Sequence, residues 1–148
     1  MIRVFLDAGV LIGAFKGEPD IREAAFAILG CPHLEFWYSP LLDLEVTLQA
    51  AHHKQADEMS FYAEYFKHAN CYGDLNRMLE IGAPQARKHG ITVVDALHVA
   101  AANLCKCSFL VTTEKATRPM FRTSLVKVIS IAAGSKASHQ TLRQLTGR

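Results

Sequence analysis

Four carboxylates, Asp7, Glu45, Asp95 and Glu114, stand where strands or apolar helices can deliver them to one edge of a sheet. Asp7 closes the run Ile2-Arg3-Val4-Phe5-Leu6, Glu45 lies among Leu41, Leu44 and Leu48, Asp95 opens an apolar stretch ending at Cys105, and Glu114 follows Ser108-Phe-Leu-Val111. Burying a carboxylate without a partner is costly, so an acid beside apolar residues implies a cation or hydrogen bonds that compensate it. Four of them imply one shared cation. Hard oxygen ligands of this kind suit Mg²⁺ or Mn²⁺, which take a few carboxylates together with waters and substrate phosphate. Zinc is disfavoured because no matching set of histidines or cysteines accompanies the acids.

Each acid taken singly also has a structural explanation. Asp7 could cap the turn after it, Asp95 could be a helix N-cap, Glu45 could pair with a basic side chain, and Glu114 could be an ordinary loop residue. Other acid-rich or phosphate-binding α/β sites fail on the sequence. A receiver domain needs adjacent acids after its first strand and a haloacid-dehalogenase-type phosphatase needs Asp-x-Asp, whereas Asp7 is followed by Ala8 and Gly9. Neither glycine-rich nucleotide-binding motif follows a strand.

Charge is unevenly placed. Through Cys105 there are eight Lys and Arg against thirteen Asp and Glu; from Lys106 onward there are eight against Glu114 alone. A basic C-terminal third beside an acidic site suits a polyanionic substrate, whose phosphates the cations hold while the acids bind metal. A solvated basic face is the simpler alternative. The four cysteines, Cys31, Cys71, Cys105 and Cys107, make no C-x-x-C pair and read as reduced core thiols, and the His52-His53 pair reads as a helix end. Asp7 interrupts the apolar start too early for a signal peptide, and no apolar run approaches the roughly 18 residues of a membrane helix. A soluble, cytoplasmic protein with no membrane partner is expected.

The elements that must position the acids alternate strand and helix. Strands are expected at 2–6, 35–38, 108–111 and 125–131, with a weak one at 70–72. Helices are expected at 10–15, from a capping box at Asp20-x-x-Glu23 through Leu29, at 41–54, 57–68 and 75–89 with a break near Gly82-Ala83-Pro84, and at 95–105. At 100° per residue Leu41, Leu44, Glu45 and Leu48 share a sector, which places Glu45 on the buried face of its helix and Asp43 in solvent. The aromatics between Met59 and Phe66 read as packing. The pattern predicts an α/β fold: a three-layer α/β/α sandwich on a mostly parallel central sheet of about five strands. Ligands in such sheets gather at the carboxyl ends of the strands, near a switch in strand order. One domain is expected over residues 1–131, followed by a short polar, basic tail over 132–148 with a helix near Thr141 to Leu145 or no regular structure.

Four blocks of the chain resemble the PIN-domain family of nucleases, which includes the VapC-like toxins of bacterial toxin–antitoxin pairs. They are Val4-Phe-Leu-Asp-Ala-Gly-Val-Leu-Ile12, Ser39-Pro-Leu-Leu-Asp-Leu-Glu-Val46, Gly90-Ile-Thr-Val-Val-Asp-Ala-Leu-His-Val-Ala-Ala-Ala102 and Leu110-Val-Thr-Thr-Glu-Lys115. By this resemblance Asp7, Glu45, Asp95 and Glu114 match the family's acidic quartet, catalytic and metal-binding, and Thr112 matches a hydroxyl residue beside the fourth acid. The resemblance implies a PIN-like fold and an Mg²⁺- or Mn²⁺-dependent endoribonuclease in which water activated at the cation hydrolyses RNA and leaves a 5′-phosphate. It also implies RNA as substrate, an antitoxin protein as a partner, and a homodimer. Lys115, Arg118 and Arg122 are the candidates for holding the RNA backbone. Two departures stand out: the family usually has Ser, Thr or Asn within two residues of the first Asp, where this chain has Ala8 and Gly9, and its fourth acid is usually Asp rather than Glu. They open a second reading, a catalytically impaired module of the same fold that binds nucleic acid or protein without turnover.

Overall fold

The first strand, β1 (Ile2–Leu6), has Val4, Phe5 and Leu6 fully buried, as a strand covered on both faces must. The computed structural model describes residues 1–132 and 143–145. Asp7 ends β1 and caps α1 (Ala8–Lys16), and α2 (Pro19–Leu29) follows at once. The expected capping box is not there. Pro19, with its backbone already set for a helix, takes the first position, so Asp20 lies inside the first turn and Glu18, the N-cap, makes no side-chain cap bond. The strand β2 (Leu34–Tyr38) leads to Ser39, whose hydroxyl accepts from the Leu42 N–H at 3.4 Å and starts α3 (Pro40–His52). Then come α4 (Ala56–His68), the short β3 (Asn70–Cys71) and α5 (Leu75–His89), which runs unbroken through Pro84 where the sequence suggests a break. Gly90 ends α5 at φ +69°, a conformation that suits glycine, and returns its N–H to Ala86. The chain closes with α6 (Val93–Leu104), β4 (Phe109–Thr112), a 3-10 turn at Pro119–Arg122 and β5 (Lys127–Ser130).

The five strands form one sheet in the order β3-β2-β1-β4-β5, and every neighbouring pair is parallel. The sheet is thus parallel throughout. Helices cover it in a three-layer α/β/α arrangement, with α6 against β1, β2 and β4 and backed by α5, and with α1 packed on α2 and α3. Close packing of the α5–α6 pair depends on Gly82, where a Cβ would come within 3.0 Å of the Ala96 carbonyl. The aromatics of α4 pack as expected: Phe61 and Tyr62 against Phe15, and Tyr65 and Phe66 against Phe36 and Tyr38. The four cysteines are free; Cys31, Cys105 and Cys107 are buried, but Cys71 is exposed on the edge strand. Among the described residues no helix is long and apolar enough to cross a membrane. Most of the expected tail, residues 133–142 and 146–148, lies outside the described residues; Leu145 packs in the core, and its carbonyl accepts from the Cys31 thiol at 3.6 Å.

After β1 the chain builds outward through β2 and β3, then returns to the other side of β1 for β4 and β5. The carboxyl ends of β1 and β4 therefore flank the switch in strand order, where Asp7 and Thr112 sit.

Candidate active site

Asp7 is 7 % exposed, and its backbone N–H donates to the Val111 carbonyl at 3.0 Å across the β1–β4 seam. Its Oδ1 accepts from the Val10 N–H at 3.2 Å, so the residue does cap α1. Burial pushes its pKa up to about 6 from the usual 3.8. Hydrogen bonding from Thr112, the nearby His98 and the Val10 N–H oppose the shift, and the charge of Asp95 adds to it. Asp7 and Asp95 therefore feel one another, and no Lys or Arg forms an ion pair with either among the described residues. Asp95 is the third residue of α6 rather than its N-cap, a place that Thr92 takes without a side-chain bond.

Glu45 sits differently from the helical-phase expectation. The buried stripe of α3 is Leu42, Val46 and Ala50, while Leu44 and Leu48 are 59 % and 56 % exposed. The leucines dominated the phase argument, but the core takes the smaller Val46 and Ala50 and leaves the leucine stripe outward. Glu45, 35 % exposed in its side chain, reaches inward from the edge of that stripe to His98, with Oε1 2.9 Å from Nε2. Glu114 lies two residues beyond β4 and is exposed, with Oε2 3.6 Å from Arg118 Nε. Thr112, fully buried at the end of β4, serves both acids of the seam: its side chain hydrogen-bonds Asp7, and its hydroxyl oxygen accepts the Glu114 N–H at 3.0 Å. Among the basic candidates Lys115 and Arg118 are exposed beside Glu114. Arg122 is instead engaged on the helix end, donating to the His89 carbonyl at 2.9 Å.

No family model matches the chain, and no curated protein matches its sequence. Solved structures do match its fold, three of them as follows. A toxin-antitoxin complex from Klebsiella pneumoniae aligns with a TM-score of 0.64 at 19 % identity, over 86 % of this chain and 97 % of that one. VapBC2 from Rickettsia felis, bound to a DNA fragment from their promoter, aligns with a TM-score of 0.68 at 13 % identity, over 87 % and 98 %. PAE2754 from Pyrobaculum aerophilum aligns with a TM-score of 0.57 at 16 % identity, over 99 % and 98 %. The fold is PIN-like.

Within this PIN-like frame the sequence reasoning passed over two residues. His98 lies one turn beyond Asp95 and is the only polar side chain between Ala96 and Ala102, a signal visible in the sequence. Thr113 had no such signal. A Cβ on Gly9 would overlap the Thr113 hydroxyl and lie 3.4 Å from Asp7 Oδ1, so Thr113, just past the end of β4, fills the space beside the first acid that Gly9 leaves open.

The donor chemistry fits a hard divalent cation held in part by substrate. Among the described residues no three His, Cys, Asp or Glu side chains form a ready-made metal cage. Two mutually repelling carboxylates, one of them buried, nevertheless match the way Mg²⁺ binds, through one or two carboxylates with the remaining positions left to water and phosphate.

Proposed function

We propose that this PIN-like protein is a metal-dependent ribonuclease that hydrolyses RNA phosphodiester bonds, and that it acts as the toxin of a toxin–antitoxin pair in the cytoplasm. The observation that carries the reading is Asp7, a buried acid at the switch point of a parallel sheet, with a second acid beside it and a pKa raised to about 6. A purely structural acid would gain from a fixed basic partner; this one is left for a cation that enters from solvent. Asp7 and Asp95 would hold Mg²⁺ or Mn²⁺, with Glu45 and Glu114 reaching it directly or through water. Such a cation would supply an activated water and neutralise charge on the scissile phosphate. Thr112 keeps Asp7 ionised and aimed, while Lys115 and Arg118, with Arg122 more distant in role, hold the RNA backbone. The nuclease spans residues 1–131, and the basic tail adds attraction for RNA.

Asp7→Asn and Asp95→Asn are each expected to lower Mn²⁺-dependent RNA cleavage by more than the roughly 100-fold that follows loss of an outer-shell partner of a metal ligand. Both should keep a cooperative thermal melt. Full cleavage by both variants overturns the mechanism. The impaired-module reading draws on Glu45 being engaged by His98 and Glu114 by Arg118. Salt-dependent RNA binding without turnover at any Mn²⁺ concentration selects it.

Two apolar surfaces support the proposed protein partners. Leu44 and Leu48 of α3, Leu75 and Leu79 of α5 and Val93 of α6 are exposed along one side, with grooves of about 270 and 310 Å³ between these helices. Soluble monomers rarely leave such a surface bare. We assign it to a second copy of the chain, which would set two acidic edges side by side, and Leu48→Glu is expected to give monomers by sedimentation. A separate groove of about 410 Å³, lined by Phe26, Leu29, Phe36, Phe61 and Tyr65, is the surface left for an antitoxin. Two of the matched structures are toxin–antitoxin assemblies, which supports a partner of that class.

A further inference from the structure

His98 is 1 % exposed, lies against the Phe5 ring at 5.6 Å, and directs Nε2 to Glu45 Oε1 at 2.9 Å. A carboxylate oxygen can only accept, so Nε2 carries the proton in this contact. The other ring nitrogen, Nδ1, is buried and has no hydrogen-bond partner among the described residues. Leaving a buried polar atom unsatisfied costs roughly 1–3 kcal/mol. Every neighbour on α6 from Ala96 to Ala102 is a buried alanine, leucine or valine, so a leucine at position 98 would pack without that cost. A residue whose only task was to fill the layer would not be histidine.

What histidine supplies, and leucine cannot, is one N–H donor reaching from α6 to α3. We propose that His98 is a positioning residue for the ribonuclease reaction: by fixing one oxygen of Glu45, it holds the long, part-exposed carboxylate with its second oxygen available to the divalent cation. The inference rests on the metal site proposed above. Asp95 and His98 are three residues apart and share a face of α6, so one helix provides an acid of the site and the anchor of another. The field of His98 also reaches Asp7, which places the ring inside the same cluster. Partners that orient ligating carboxylates in this way contribute about 10- to 100-fold to metal affinity.

The test is calorimetric titration of the full chain with Mn²⁺, beside thermal melts without metal. H98L is expected to bind Mn²⁺ about 10- to 100-fold more weakly, with a metal-free melting temperature equal to or above that of the wild type. H98Q, whose amide N–H can approach the place of Nε2, should recover most of the affinity, and H98N, whose shorter amide cannot reach Glu45, should not. In an E45Q background H98L should change Mn²⁺ affinity no further, because the effect runs through that carboxylate. Wild-type affinity in H98L, an undiminished H98L effect in the E45Q background, or H98Q no better than H98N overturns the positioning role. If H98L fails to fold, the H98Q and H98N pair decides alone. A wild-type chain that takes up no Mn²⁺ overturns the metal site itself, whereas normal wild-type uptake with unaltered variants overturns only this inference.

Discussion

Two buried carboxylates in this protein are treated in opposite ways. Glu58, 4 % exposed on α4, is fully provided for: the Tyr62 hydroxyl donates to it at 2.6 Å and Lys16 Nζ approaches at 3.3 Å from α1. Burial and the Glu58 hydrogen bond push the Tyr62 pKa up, so the phenol keeps the proton that it donates. Asp7 is buried to a similar degree, but the Thr112 side chain, the nearby His98 and one backbone N–H do not offset its burial, and the charge of Asp95 adds to the cost. The first carboxylate is balanced inside the fold. The second has no Lys or Arg partner among the described residues, and burial holds its pKa up.

The widest gap between the two should appear with pH. The folded-state pKa of Asp7 lies above its unfolded value, so its contribution to stability is full below about pH 4 and is lost as pH rises through about 6. In metal-free protein this site should cost about 3 kcal/mol between pH 4 and pH 8. Asp7→Asn should remove that slope, melting higher than the wild type at pH 8 and alike at pH 4; parallel melting profiles for the two would erase the distinction from Glu58. Glu58→Ala should act in the other direction, leaving the buried Tyr62 hydroxyl without its acceptor. A loss of about 2 kcal/mol in denaturant unfolding is expected, with Mn²⁺ uptake and RNA cleavage per folded molecule unchanged. A Glu58→Ala protein that lost Mn²⁺ uptake would show that the two acids are not independent. The smallest effect belongs to the exposed Arg118–Glu114 pair. Arg118→Ala should shift stability by no more than about 0.5 kcal/mol, yet lower the slope of RNA affinity against salt by about one phosphate contact.

The sheet and its acid-bearing ends could be read in the chain because short, uniformly apolar strands such as Val4-Phe5-Leu6 carry their burial locally. Asp7, placed directly after such a strand, was legible for the same reason. The orientation of α3 was not. Its core side is Leu42, Val46 and Ala50 while Leu44 and Leu48 are exposed, so hydrophobic phase named the wrong face, although Glu45 still meets His98. Contacts between residues far apart in sequence were least visible: Glu45 with His98, Arg122 with the end of α5, and Thr113 over Gly9. Periodicity does not report which atom meets which across a seam.

The meeting of Gly9 and Thr113 makes these two positions a single unit for substitution. Putting a serine at position 9, as the family pattern would suggest, adds a Cβ where the Thr113 hydroxyl already lies. That replacement would force the Thr113 side chain to give way beside the first acid. Gly9→Ser becomes tolerable when paired with Thr113→Gly, which moves the hydroxyl from the bend after β4 to the first turn of α1. In a lineage of this protein the two sites should therefore change as a pair, and grafting the motif around the first acid without its partner should yield a worse protein than leaving the glycine alone.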